Sequence, residues 1–119
     1  MPYQIGGQPV QLGKEPKNLN GPVYVPFREV IEHLGGKVTW DHATKTAGAT
    51  LNGRHARVPR DSDTFTLDGT PVTMSVPTLF LEEELWVPIE FFGMAFDVPA
   101  YADGPTNVRL DTRTIARAA

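Results

Sequence analysis

Displaced against itself by 62 residues, this chain aligns without a gap across its most regular stretch. Gly7, Pro9 and Val10 fall on Gly69, Pro71 and Val72, and Val25 and Pro26 fall on Val87 and Pro88. Asp41 and Thr44 fall on Asp103 and Thr106. Between these identities the character is kept: Tyr3 falls on Phe65, Ile5 on Leu67, Leu12 on Met74 and Tyr24 on Trp86. An internal repeat fixes the structural unit before any other reading is attempted. Here it predicts two copies of one small α+β unit, and it says nothing about chemistry.

At 119 residues the chain has the size of a single domain, residues 1–119. Each half would be marginal alone, so the halves are expected to share one core. Apolar residues make up 40% of the chain, which argues against disorder. Eleven Gly and eleven Pro predict many turns between short elements. A net charge of −3 gives no electrostatic reason to bind nucleic acid or an anionic membrane. The absence of Cys excludes disulfides, thiolate metal sites and Cys nucleophiles. No run approaches the ~18 apolar residues of a membrane span, so no insertion is expected. Met1-Pro2-Tyr3-Gln4-Ile5 lacks the basic and apolar regions of a signal peptide. A cytoplasmic protein is expected if Met1 is the native start, and an envelope or secreted one if a leader has been removed.

Each repeat opens with a hairpin signal. Tyr3-Gln4-Ile5, Gly6-Gly7 and Pro9-Val10-Gln11-Leu12 alternate apolar and polar residues about a turn. Phe65-Thr66-Leu67, Asp68-Gly69 and Pro71-Val72-Thr73-Met74 do the same. After a less regular stretch come the strands Val23-Tyr24-Val25 and Leu85-Trp86-Val87. Pro26 and Pro88 then switch the period from two to 3.6 and mark helix starts. Phe27, Val30, Ile31 and Leu34 form one apolar stripe, and Ile89, Phe92, Gly93 and Phe96 hold the same offsets. Arg28, Glu29, Glu32 and His33 face away from it. Gly35-Gly36 predicts an αL helix stop, and Gly93 predicts a close approach of helix to helix or helix to sheet. Each repeat closes with a second hairpin, about Asp41-His42-Ala43-Thr44 and about Asp103-Gly104-Pro105, and Asn52-Gly53 starts a further one.

The run Val23-Tyr24-Val25-Pro26-Phe27-Arg28-Glu29-Val30-Ile31-Glu32-His33-Leu34-Gly35-Gly36-Lys37-Val38-Thr39-Trp40-Asp41 resembles the signature of the copper amine oxidase N-terminal-like, or stalk, domain family. Leu85-Trp86-Val87-Pro88-Ile89 resembles the same motif in degraded form, without the Arg and the Leu-Gly, and with Ala102 where Trp40 would stand. The resemblance covers roughly residues 3–111. It implies a small non-catalytic module, found in bacteria alone or beside cell-wall and surface-layer modules. The copper and quinone of the oxidases belong to a separate catalytic domain, so no cofactor is expected.

The titratable side chains offer little chemistry. His33, His42 and His55 lack the i, i+4 spacing of a helical metal site and have no Cys partner, so no metal is expected. Glu82, Glu83 and Glu84 read as a solvated strand edge that blocks sheet-to-sheet association. Asp41 and Asp103 recur at equivalent turns and read as turn caps. Arg54, His55, Arg57 and Arg60 are the candidate ligand-binding residues, for a polyanion or glycan. Alternation splits them, with Arg54, Ala56 and Val58 on one face and His55 and Arg57 on the other. Trp40, Trp86, Tyr24 and Phe65 read as core rather than as a groove for carbohydrate or peptide. Ser62 and Ser75 lack a nucleophile motif.

The expected fold class is therefore α+β, two tandem hairpin–strand–helix–hairpin repeats in one domain, with short antiparallel strands packed on two helices. The repeats span about residues 3–58 and 64–116, with a linker at about 59–63. The expected function is a non-catalytic structural or protein-interaction module. The alternative is a polyanion- or glycan-binding module, for nucleic acid or a cell-wall polymer, acting through residues 54–60. A protein partner or a second copy is the expected partner, and the uncharged hairpin of residues 3–12 is the element expected to pair or exchange.

Overall fold

A computed structural model of the chain describes residues 2–19, 21–104 and 106–112. Met1, Pro105 of the last expected turn and residues 113–116 of the second expected repeat lie outside the described residues. The described chain is mostly β-sheet with two helices, an α+β composition.

The longest sheet is a meander of five antiparallel strands, β5 (Lys37–Asp41), β6 (Thr46–Leu51), β7 (Arg54–Pro59), β8 (Thr64–Leu67) and β9 (Thr70–Thr73), in that spatial order. Turn chemistry sets its hairpins. Asn52 and Gly53 join β6 to β7 with φ of 55° and 75°, and Asp68 and Gly69 join β8 to β9 with 49° and 86°. Two successive positive φ values give the turn whose twist matches the flanking strands. Of residues 59–63, expected as a linker, Pro59 ends β7 and 60–63 connect β7 to β8 inside this one sheet.

A second sheet has the order β10 (Leu79–Leu81), β11 (Glu84–Pro88), β4 (Val23–Pro26), β3 (Lys17–Asn18). A third has the order β12 (Ala100–Ala102), β13 (Val108–Leu110), β1 (Tyr3–Ile5), β2 (Gln8–Val10). Here the expectation of antiparallel strands needs a correction. β1 runs parallel to β13, with Tyr3 opposite Val108 and Ile5 opposite Leu110, because the two ends of the chain meet side by side.

Helix α1 (Phe27–His33) buries the stripe read from its sequence: Phe27, Val30, Ile31 and Leu34 all lie in the core. Its stop is the six-residue αL closure. The N–H of Gly36 reaches the Ile31 carbonyl at 2.9 Å, that of Gly35 reaches Glu32 at 3.0 Å, and Gly35 has φ 93°. Gly36 is also the point of close approach. A Cβ there would stand 2.7 Å from the Thr50 carbonyl oxygen and 2.8 Å from Ile31 Cγ2.

Helix α2 (Glu90–Phe96) departs from the sequence reading. Its buried residues are Phe91, Phe92, Ala95 and Phe96, while Ile89 is only partly buried and Gly93 is exposed. A Cβ on Gly93 would meet nothing nearer than 3.9 Å, so Gly93 marks no close approach. The helix spans Glu90–Phe96 with Ile89 already in helical backbone before it, and its buried face takes in Phe91 and Ala95 in place of Ile89 and Gly93. Phe91 becomes the aromatic centre of the core. Its ring packs edge-on to Phe27, Phe65, Phe92 and Phe96 at 4.9–5.8 Å, a geometry aromatic pairs favour. One buried cluster takes residues from all three sheets and both helices.

Candidate interaction surface

The candidate residues Arg54, His55, Arg57 and Arg60 all sit on or beside β7, and the pleat and the strand ends send them to different places. Arg54 donates from Nη1 to the Ala95 carbonyl at 3.4 Å, and Asn52 Nδ2 donates to the Phe96 carbonyl at 3.1 Å. These carbonyls belong to the last turn of α2, where the helix supplies no donor of its own. That turn contains no basic residue, so Arg54 brings the favourable positive charge from the neighbouring sheet. Arg60 pairs through Nε with Asp61 Oδ2 at 3.1 Å, and its guanidinium lies 4.7 Å from the Phe80 ring centre. Of the four, only His55 and Arg57 lie on the exposed outer face of the five-stranded sheet. There the His55 ring contacts Thr50 Oγ1 at 3.1 Å. The structure thus brings together two of the four residues.

Of the aromatic residues read as core, Trp86, Phe65 and Tyr24 are buried. Trp40 is half-buried: it packs against the core and also lines a groove. It stacks on Phe80 with ring centres 5.7 Å apart and planes 23° from parallel. Arg60 lies against the same Phe80 ring. Trp40 Nε1 donates to His42 Nδ1 at 3.2 Å, which occupies one nitrogen of a histidine that lines the same groove. The stack forms one wall of a groove of about 610 Å³ between β5 and the β10–β11 hairpin. Phe27, Ala47 and Leu85 give the groove an apolar floor, and Arg28, Glu83 and Glu84 stand among the residues that line it. Its charged groups are partly spent: Arg28 faces Glu32 one turn away at 3.7 Å, and Glu84 pairs with Lys14 at 2.9 Å. Such a groove can receive apolar side chains. Sequence reasoning missed it because Phe80 comes from β10, a strand in the stretch read as irregular.

The acidic run is not a solvated strand edge. Glu82 and Glu83 are the two turn residues between β10 and β11, with φ of 55° and 61°. Non-glycine residues enter this region at some cost. Lys17 Nζ contacts Glu82 Oε1 at 3.0 Å, and Lys14 reaches both Glu82 and Glu84. The Lys17 hydrogen bond and charge hold the Glu82 carboxyl below its ordinary range. The hydrogen bond to Glu84 pushes the Lys14 ammonium up. Pairs this exposed contribute little individually.

Asp41 is a turn cap, as its position suggests. Its Oδ1 accepts the N–H groups of Ala43 at 2.9 Å and Thr44 at 3.3 Å. The Thr44 and Ala43 backbone bonds, with the Arg57 charge, hold its carboxyl below the usual value. Asp103 at the matching turn instead faces Arg109 at 4.0 Å. Among the described residues no group of three or more His, Asp or Glu could hold a metal ion, and no helix is long and apolar enough to cross a membrane.

A sheet-rich fold with two short helices, each following a strand that ends Val-Pro, fits the pattern of the stalk-type domain. The chain belongs to the copper amine oxidase N-terminal domain family, whose family model matches residues 4–109. That domain is non-catalytic in the oxidases. No curated protein matches the chain.

Proposed function

We propose that this chain is a non-catalytic structural and protein-interaction module, built as one domain from two tandem repeats. Family membership over residues 4–109 is the observation that carries the non-catalytic part. The repeat is supported by the element starts. β1 to β6 with α1 begin at residues 3, 8, 17, 23, 27, 37 and 46, and β8 to β13 with α2 begin at 64, 70, 79, 84, 90, 100 and 108. Each pair is 62 apart to within one residue. The register of β4 on β11 supports it too, since Val25 lies opposite Val87, its own repeat mate. The one-domain reading draws on the single buried cluster.

The interaction role is supported by where polar groups are already committed. Arg54 caps a helix and Arg60 is paired and stacked, so residues 54–60 present little free positive charge to a polymer. What the module offers is an edge strand and an apolar groove. Heparin chromatography separates this reading from polyanion binding. The expected result is elution without retention at physiological salt. Retention that is lost in Arg57→Ala overturns the reading, because a phosphate- or sulfate-tracking surface weakens with each cation removed.

A further inference from the structure

We propose that two copies of this chain pair through β5, edge to edge and antiparallel, joining their five-stranded sheets into one. The proposal rests on the interaction-module reading and names the partner as a second copy. Its first support is the condition of the sheet edges. An open edge presents unpaired N–H and C=O groups to any extended chain, and proteins guard it with Pro, shortness or inward charge. Among the described residues the edge strands are β2, β3, β5, β9, β10 and β12. β2 carries Pro9 and β9 carries Pro71; β3 has two residues, and β10 and β12 have three each. β5 has five residues, Lys-Val-Thr-Trp-Asp, with no Pro and no inward charge. It is the one long edge left open.

The second support is that these five residues complement themselves. Lys37, Thr39 and Asp41 are exposed, and Val38 and Trp40 turn toward the groove. An antiparallel pair centred on Thr39 sets Lys37 opposite Asp41 of the second copy, and Asp41 opposite its Lys37. Val38 meets Trp40 of the second copy, and Thr39 meets Thr39. Opposite charges, aromatic with β-branched and Thr with Thr are the cross-strand pairs that stabilise sheets. A slip by two residues loses both charge pairs, so the sequence selects this register. Lys37 has no salt-bridge partner among the described residues, which leaves it available. The Trp40 ring is held by its stack on Phe80, so little side-chain freedom is lost on docking. The contact is isologous and closes at two copies, because each edge is used once.

The chain already pairs this way within itself. β4 and β11 run antiparallel with Tyr24 opposite Pro88, Val25 opposite Val87 and Pro26 opposite Trp86. Each position lies across from the repeat mate of its mirror position, the same crossing that β5 would make with its copy.

The test is sedimentation over micromolar to millimolar concentration with charge-reversed variants. Wild type should move from one chain to two as concentration rises. Lys37→Asp places two acid–acid pairs across the interface, and Asp41→Lys two base–base pairs. Each should weaken self-association about tenfold. An equimolar mixture of the two variants restores both pairs and should return to within about threefold of wild type. Should Asp41→Lys fold poorly, salt gives a second measure on Lys37→Asp alone. Added salt should strengthen its dimer and weaken that of wild type, since it screens repulsion in one and attraction in the other. A mass of one chain throughout overturns the proposal, including the case in which β5 instead takes an extended peptide of another protein. A dimer indifferent to both substitutions, or a mixture no stronger than its parts, overturns it as well. None of these outcomes touches the module reading, which fails on heparin retention that is lost in Arg57→Ala.

Discussion

The sheet running from β5 to β9 and the sheet that joins the chain ends solve one problem differently. In the first, β6 and β8 point the same way and are separated by β7, so every contact is between neighbours in sequence. In the second, β13 and β1 point the same way and pair directly, with no described strand between them. Tyr3 and Val108 are 105 residues apart by subtraction, so closing that pair carries the largest loop-entropy cost in the fold. The meander is closed by short local turns, whereas the closing sheet joins the two ends of the chain over the shared core. Stability of the second sheet is thus borrowed from what lies beneath both.

The largest expected effect tests that dependence. Phe91 touches Phe27 of α1 and Phe65 of the meander, within the one buried cluster that also holds Tyr3, Val108 and Leu110 of the closing sheet. Phe91→Ala should cost ~3–5 kcal/mol in chemical denaturation, as large aromatic truncations in cores do. Tyr101→Ala, on an exposed residue of β12, should change stability by less than about 0.5 kcal/mol. Wild type should unfold in one transition. Two separated transitions would break the comparison, by making the sheets independent.

The helix ends sharpen it at the next scale. α1 stops at Gly35 and Gly36, and α2 stops at Asp97 with φ 60°, without a glycine. Gly36→Ala forces a methyl against the Thr50 carbonyl of β6 and should cost ~1–3 kcal/mol, as overpacking does. Gly93→Ala adds a methyl at ordinary contact distance from Val98 and Pro99, within a helix, and should gain about 0.5–1 kcal/mol. Thermal melts of the two variants moving in the same direction would contradict the assignment of Gly36, rather than Gly93, as the tight contact.

Legibility of the sequence followed the same division. Hairpins about Gly6-Gly7, Asn52-Gly53 and Asp68-Gly69 could be read because the turn residues themselves demand the backbone they adopt. The α1 stripe could be read because its offsets and its glycine stop agree. The Glu82-Glu83 turn could not, since two glutamates give no local sign of positive φ. The side chains that meet Glu82, Lys14 and Lys17, come from a distant segment. Phe91 has no such signal, since the repeat offset puts Ile89 and Gly93 on the buried face where the helix instead buries Phe91 and Ala95. The groove escaped notice for a related reason. Half of its aromatic stack is Phe80, on a three-residue strand with no periodic signal. Pairing of β13 with β1 depends on tertiary closure alone, which no local pattern encodes.

The smallest effect concerns the two aspartates at matching turns. Asp41 Oδ1 accepts two backbone N–H bonds, and Asp103 makes its contact with Arg109 instead. The folded Asp41 carboxyl titrates below its ordinary value of 3.8, chiefly through the Thr44 and Ala43 bonds. A carboxyl depressed on folding binds fewer protons in the native state than in the unfolded one. It therefore stabilises the fold above 3.8, and that contribution is lost as pH falls through the lower, native value. Asp41→Asn keeps an oxygen that can accept the same two bonds and removes only the charge. Melting curves should show this variant slightly below wild type at neutral pH, with the gap closing in acid. Asp103→Asn should show a smaller gap at neutral pH, because its long, exposed ion pair contributes little. A gap for Asp41→Asn that stays constant from neutral pH to acid would mean that the carboxylate charge does nothing for the turn, and the two aspartates would then differ in geometry alone.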